Sequence, residues 1–189
     1  IIYIINILNL IVFILIKKIV IIDNSYLSYS GKDINGEILR GTETSLIILA
    51  EHFALKGYYV DFCTNIDQKI NYNNVNYFNK NKINKNILYD LAIAVSDCNQ
   101  FDFVSAKKKA IFSVSNQPFE KFLRKKQLFS FLKHKPYVVT LCNYQYNKRS
   151  FLTSMFGKKM IPIAVDPKFL NLEIDLDYLP KKKVIYNIR

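Results

Sequence analysis

Ile19-Val20-Ile21-Ile22-Asp23, then Arg40-Gly41-Thr42-Glu43, then Gly57-Tyr58-Tyr59-Val60: these passages and their spacing decide the fold. The first is a continuous apolar run ending in a carboxylate, as expected of a strand buried on both faces. Asn24 to Leu39 reads as a long polar loop around Gly31 and Gly36. From Arg40 onward, Leu46, Leu49, Ala50, Phe53 and Ala54 recur at the spacing of one helix face. Gly57 suits the C-terminal cap of that helix, and Tyr58 to Phe62 begins a second strand. A βαβ unit whose first loop delivers a small residue to a helix N-terminus is an anion-binding device.

Outward from this unit, strands and helices alternate. An apolar island at Val75 to Phe78 predicts a third strand inside an asparagine- and lysine-rich stretch, and Leu91 to Val95 a fourth. Phe101 to Ala106 suits a short helical turn before Lys107-Lys108-Lys109, and Ala110 to Val114 a fifth strand. Pro118 suits the first position of a helix running through Leu132, stopped by Pro136. Tyr137 to Leu141 predicts a sixth strand, Asn143 to Phe156 a helix closed by Gly157, and Lys159 to Val165 a last short strand. The alternation predicts an α/β, Rossmann-like, doubly wound and mostly parallel sheet. In such sheets the site lies outside the C-terminal ends of the strands. That rim collects Asp23, Asp97, Asn116, Gln117 and Asn143 as candidate cleft residues.

The chain has 189 residues, enough for one good core. Half of it is hydrophobic and 14% aromatic, which excludes a disordered chain. The abundance of Ile, Asn and Lys reads first as the bias of an AT-rich genome. The formal charge of +12 favours anionic partners, with a solvated basic surface as the plain alternative. Cys63, Cys98 and Cys142 show no metal-ligand spacing and read as reduced, packed thiols of a cytoplasmic protein.

The ends are read as expectations. Residues 1–17 are an apolar leader followed by lysine, either a membrane anchor, a non-native or fragmentary stretch, or a buried element. Residues 18–170 are expected to form the Rossmann-like domain. From 171 a linker and a fresh strand near Val184 are expected to open a second domain, so that the chain reads as cut at both ends.

The Gly41 turn carries the strongest local chemistry. Glycine lets a ligand oxygen approach the backbone, and the amides of Thr42 to Ser45 point toward it. Thr42 and Thr44 would add hydroxyls, and Arg40 a bidentate phosphate fork. The plainer reading is a turn with Thr42 as helix cap. Neither a GxGxxG nor a P-loop pattern is present. His52 and His134 read as surface residues, and Asp23 and Asp97 as turn-forming carboxylates or cleft groups. The predicted helix from Phe119 mixes Phe122, Leu123, Phe129 and Leu132 with Lys121, Arg124, Lys125 and Lys126. Its apolar face suits packing on the sheet, and its basic face suits anionic lipid headgroups. No nucleic-acid reading motif is recognised, so nucleic acid is not an expected partner.

In order and spacing, four passages resemble the N-terminal domain of GT-B glycosyltransferases of the family 4 type. Arg40-Gly41-Thr42-Glu43 is similar to that family's Gly-Gly-x-Glu turn, and Leu49 to Val60 to its helix end and following strand. Val138 to Asn143 is similar to its strand before a polar helix start. Ile161-Pro162-Ile163-Ala164-Val165-Asp166-Pro167 is similar to its passage into the interdomain linker. The chain departs from the pattern at Arg40, Tyr58 and Ala164, and carries Ser96-Asp97-Cys98 where the family often has a histidine.

The resemblance implies the acceptor-side half of a retaining transferase acting from a nucleotide-diphosphate sugar onto a glycan or lipid-linked acceptor. It implies no metal or other cofactor, and a location in the cytoplasm, at the inner face of the membrane. Arg40, Gly41, Thr42 and Glu43 would face the donor phosphates, and no residue is assigned as catalytic. The alternative is a non-catalytic Rossmann-like module that binds an anionic sugar or lipid.

Overall fold

The computed structural model describes residues 18–34, 36, 39–115 and 119–162. The leader, Asn116, Gln117 and Pro118, and everything from 163 onward, including the expected linker and fresh strand, lie outside the described residues.

Eight strands form one sheet: β1 (Lys18–Ile22), β2 (Tyr59–Thr64), β3 (Ile70–Tyr72), β4 (Val75–Asn79), β5 (Leu88–Val95), β6 (Ser105–Ser113), β7 (Tyr137–Thr140) and β8 (Lys158–Met160). Their order is β3-β4-β2-β1-β5-β6-β7-β8, parallel throughout except for the β3–β4 pair. The fold is therefore α/β and Rossmann-like, and the strand order reverses at β1.

The apolar run of β1 is explained by its place. Ile19 and Ile21 enter a core with Leu46, Ile47 and Ala50 of α1 (Gly41–Leu55). Val20 and Ile22 enter the opposite core with Phe122 of α2 (Phe119–Arg124) and Phe131 of α3 (Leu128–His134). Gly57, at φ +84°, supplies the left-handed residue behind α1.

Several expectations are corrected. β3 was not foreseen. Asn73 and Asn74, both at positive φ, form a two-residue turn that folds it antiparallel onto β4. The turn expected at Phe101 to Ala106 is instead a 3-10 helix over Cys98–Phe103. β6 begins at Ser105, not Ala110, so the lysine run lies within a strand. β5 holds it there: Leu88 pairs with Ser105, and Lys107 forms a 2.7 Å ion pair with Asp90. β7 joins only at Ala110 opposite Tyr137, so β6 overhangs it by five residues.

The helix expected through Leu132 breaks where Lys126 turns left-handed (φ +53°) and the buried Gln127 faces inward. Leu123, Phe129 and Leu132 consequently face outward rather than onto the sheet. The helix expected from Asn143 stops as α4 (Asn143–Lys148), because Arg149 turns into the interior. Its Nε donates to the Thr153 carbonyl (3.2 Å) and one terminal nitrogen to Ser113 Oγ (2.8 Å). β8 is shorter than expected, ending at Met160 before Pro162. Cys63 and Cys98 are buried free thiols, whereas Cys142 is exposed. No described helix is long and apolar enough to cross a membrane.

His134 is the remaining correction. Only 8% of its side chain is exposed, and it stands between Asp102 Oδ1 and Lys109 Nζ, 2.8 Å from each. Lys133 also reaches Asp102 Oδ1 at 2.7 Å. Hydrogen bonding from Lys133, and then His134, holds the Asp102 carboxyl down at about 2. Burial pushes His134 below its ordinary value.

Both shifts make acid unfavourable to the fold. A depressed histidine contributes least once pH falls below its unfolded value of about 6.5, and a depressed carboxylate loses its contribution as pH falls from about 4 toward 2. Urea midpoints should therefore fall in these two windows. In Asp102→Asn the lower step should shrink, and an unchanged acid limb would show that Asp102 carries no linkage.

Candidate functional site

The reversal of strand order at β1 sends β2 and β5 to opposite sides, and opens a crevice beyond their C-terminal ends. A cleft of about 320 Å³ occupies it. One wall carries Asp23, Ser25, Arg40, Thr42 and Glu43, and the other Ser96, Asp97 and Lys125. The expected residues of the first loop and of the β5 edge are thus brought together. Asn143 is exposed at the start of α4 and does not line this cleft, while Asn116 and Gln117 lie outside the described residues.

Each carboxylate in the cleft already has a structural task. Asp23 Oδ2 accepts a 2.7 Å hydrogen bond from the buried Tyr29 hydroxyl, and its Oδ1 accepts from the Ser25 amide at 3.2 Å. Burial, and then the Asp23 charge, push the Tyr29 phenol far above its ordinary range. Asp97 precedes the 3-10 helix and accepts from the Asn99 amide (3.0 Å) and Gln100 Nε2 (3.2 Å). Glu43, only 1% exposed, is held by Arg40, whose Nε lies 3.1 and 3.3 Å from its two oxygens while a terminal nitrogen also reaches it.

The expected phosphate fork of Arg40 is therefore turned largely onto its own helix. That hydrogen bond also raises the guanidinium pKa. The outer face of Arg40 lies over the Tyr26 ring, 5.6 Å from its centroid.

The helix N-terminus itself is open. Arg40 occupies the capping position without a side-chain cap, so Thr42 is not the cap. Thr44 and Ser45 turn their hydroxyls back to the carbonyls of Arg40 and Gly41 at 3.2 and 2.7 Å. Thr42 lines the cleft. A Cβ at Gly41 would meet nothing within 4 Å, so the backbone there faces open space.

Lys125 is the residue that sequence reasoning placed elsewhere, on the basic face of a helix. It follows α2 in the β6–β7 crossover, and among the described residues its ammonium makes no ion pair. It stands in the same cleft as the open amides of α1. Beyond Asp23 the cleft adjoins a smaller notch of about 80 Å³, lined by Asn24, Thr64, Asn65, Asn79, Lys80 and Asn81. The side-chain amides there carry both donors and acceptors, the chemistry that recognises hydroxyl-bearing ligands, while the buried Thr64 hydroxyl donates to the Tyr29 carbonyl.

Among the described residues of this rim, Ser96 alone has a left-handed backbone (φ +57°). Its Oγ accepts from the Val114 amide at 3.3 Å, and its carbonyl accepts from Gln127 Nε2 at 3.4 Å. The break between α2 and α3 thus fastens the crossover to the cleft floor and sets where Lys125 stands.

No family model, curated protein or solved structure matches this chain.

Arg40→Ala should destabilise the protein by on the order of 2 kcal/mol in urea unfolding, because Glu43 is left buried without its cation. Arg40→Ala/Glu43→Leu should regain most of the loss. Full stability in the single variant would mean that Arg40 serves ligand rather than fold.

Proposed function

We propose that the cleft binds the phosphate-bearing part of a nucleotide-diphosphate sugar, and that the chain is the acceptor-side half of a retaining glycosyltransferase. The observation that carries this is the placement of Lys125, which makes no ion pair among the described residues, beside the open N-terminus of α1 in one cleft at the strand-order reversal. A helix N-terminus and a lysine converge on anions, because each offers N–H donors and positive charge. The amide-lined notch beside Asp23 would receive hydroxyls of a glycan or lipid-linked acceptor. Outward-facing Leu123, Phe129 and Leu132, set among Lys121, Arg124 and Lys126, support apposition to an anionic membrane where lipid-linked acceptors reside.

A second reading rests on the carboxylates. Asp23, Glu43 and Asp97 are all occupied by internal partners, which favours a module that binds an anionic sugar or lipid without transforming it.

Calorimetric titration of the protein with a panel of nucleotide-diphosphate sugars, followed by transfer assays on the protein in full, separates the two. Lys125→Ala should weaken binding by about tenfold, the loss of one charge-assisted contact, without lowering the urea midpoint. Binding with no transfer would select the second reading. Absence of binding across the panel would refute the first reading.

A further inference from the structure

At the edge of the sheet opposite the cleft lies a pocket of about 670 Å³ beside the β6 overhang. Leu91, Ala106 and Phe156 contribute its apolar lining, while Lys108, Lys109 and Lys135 give it amines. Ile111 of β6 packs with Phe131 of α3, and Lys109, two residues before it, lies on the same face of the strand. Lys109 is thereby delivered to the end of α3, where His134 lies.

The bonding there fixes the direction of the protons. An ionised carboxylate only accepts, so His134 Nε2, 2.8 Å from Asp102 Oδ1, carries the ring proton. Nδ1 of the neutral ring is then a lone pair, and it faces Lys109 Nζ at 2.8 Å. The three groups form a chain of amine, imidazole and carboxylate, the arrangement by which a base relieves a nucleophile of its proton.

Lys109 also differs from its neighbours. Lys107 is paired with Asp90 and Lys133 with Asp102, whereas among the described residues Lys109 makes no ion pair. Burial, and then the charge of Lys133, lower its pKa.

We propose that Lys109 is a nucleophilic amine whose pocket takes a small aldehyde or ketone bearing a negative charge, and condenses with it to an imine. Lys109 Nζ passes a proton to His134 Nδ1, and the imidazolium is held by Asp102. The nitrogen lone pair then bonds to the carbonyl carbon while the C=O π pair moves onto oxygen. His134 returns that proton to the oxygen, giving a hydroxyl. The ring then takes a second proton from the carbinolamine nitrogen and delivers it as the hydroxyl leaves as water, so the nitrogen retains one hydrogen as a protonated imine. The net change is ammonium plus carbonyl giving iminium plus water, with no oxidant or reductant. Lys108 and Lys135 attract the anionic group.

The test uses pyridoxal 5′-phosphate as an anionic aldehyde, limiting exposure, borohydride reduction and peptide mass mapping. Lys109 should be modified about tenfold faster than Lys107 or Lys133, whose ammonium groups are held by Asp90 and Asp102 while Lys109 faces the His134 lone pair. The uncharged aldehyde pyridoxal should show a smaller preference for Lys109. His134→Ala, checked for folding by circular dichroism, should bring Lys109 to the rate of its neighbours. Should that variant fail to fold, the wild-type rates decide alone. Equal labelling of Lys107, Lys109 and Lys133 in the wild type would overturn the proposal, as would undiminished preference for Lys109 in a folded His134→Ala protein.

Discussion

Burial of β1 on both faces is the constraint from which the rest of the molecule follows. Ile19, Val20, Ile21 and Ile22 are each at most 1% exposed, and alternate ones enter different cores. Each such burial is worth about 1.5–3 kcal/mol, so this strand contributes as much as a whole domain's net stability. It accepts parallel partners on both sides, β2 and β5, and so becomes the line at which the sheet changes direction. The crevice at its end is a geometric consequence of that reversal. The hydrophobic run and the polar cleft are one feature seen from its two ends.

What was legible in the sequence follows the same logic. β1, β7 and the Leu91–Val95 part of β5 announce themselves because strands covered on both faces are apolar runs, β2 because only Asp61 interrupts its apolar residues, and α1 because its buried residues repeat at helical spacing. β3 stayed hidden, since the two asparagines that turn it read as compositional bias. The first half of β6 stayed hidden because lysine alternation has no hydrophobic signature. The break after α2 is set by what Gln127 meets in the folded state, which no local pattern encodes. In the cleft, Asp23, Arg40, Thr42, Glu43 and Asp97 were legible as positions, because strand ends and helix starts define the rim. Their hydrogen-bond partners were not, and Lys125 arrives from a crossover far along the chain.

Charge is distributed unevenly between the two edges of the sheet. The cleft holds two cations against three carboxylates, despite the formal +12 of the chain. The opposite edge gathers Lys107, Lys108, Lys109, Lys133 and Lys135 around Asp90 and Asp102. A third kind of cation sits in the interior. Arg149 is 7% exposed and hydrogen-bonded to oxygens of Ser113 and Thr153, but one of its terminal nitrogens has no hydrogen-bond partner among the described residues. Burial lowers its pKa, and the proximity of Cys98 opposes that. Net charge alone would have predicted none of this partition.

The β6 overhang carries a consequence for behaviour in crowded solution. Five residues of β6 run past the start of β7, leaving backbone donors and acceptors on that side without a neighbouring strand among the described residues. Such an edge is a template on which a second chain can add itself, strand to strand. Here the template is written in lysine: Lys107, Lys108 and Lys109 present like charges to any identical copy that approaches in register. The same residues that make the strand hard to recognise keep its open edge from recruiting its own kind.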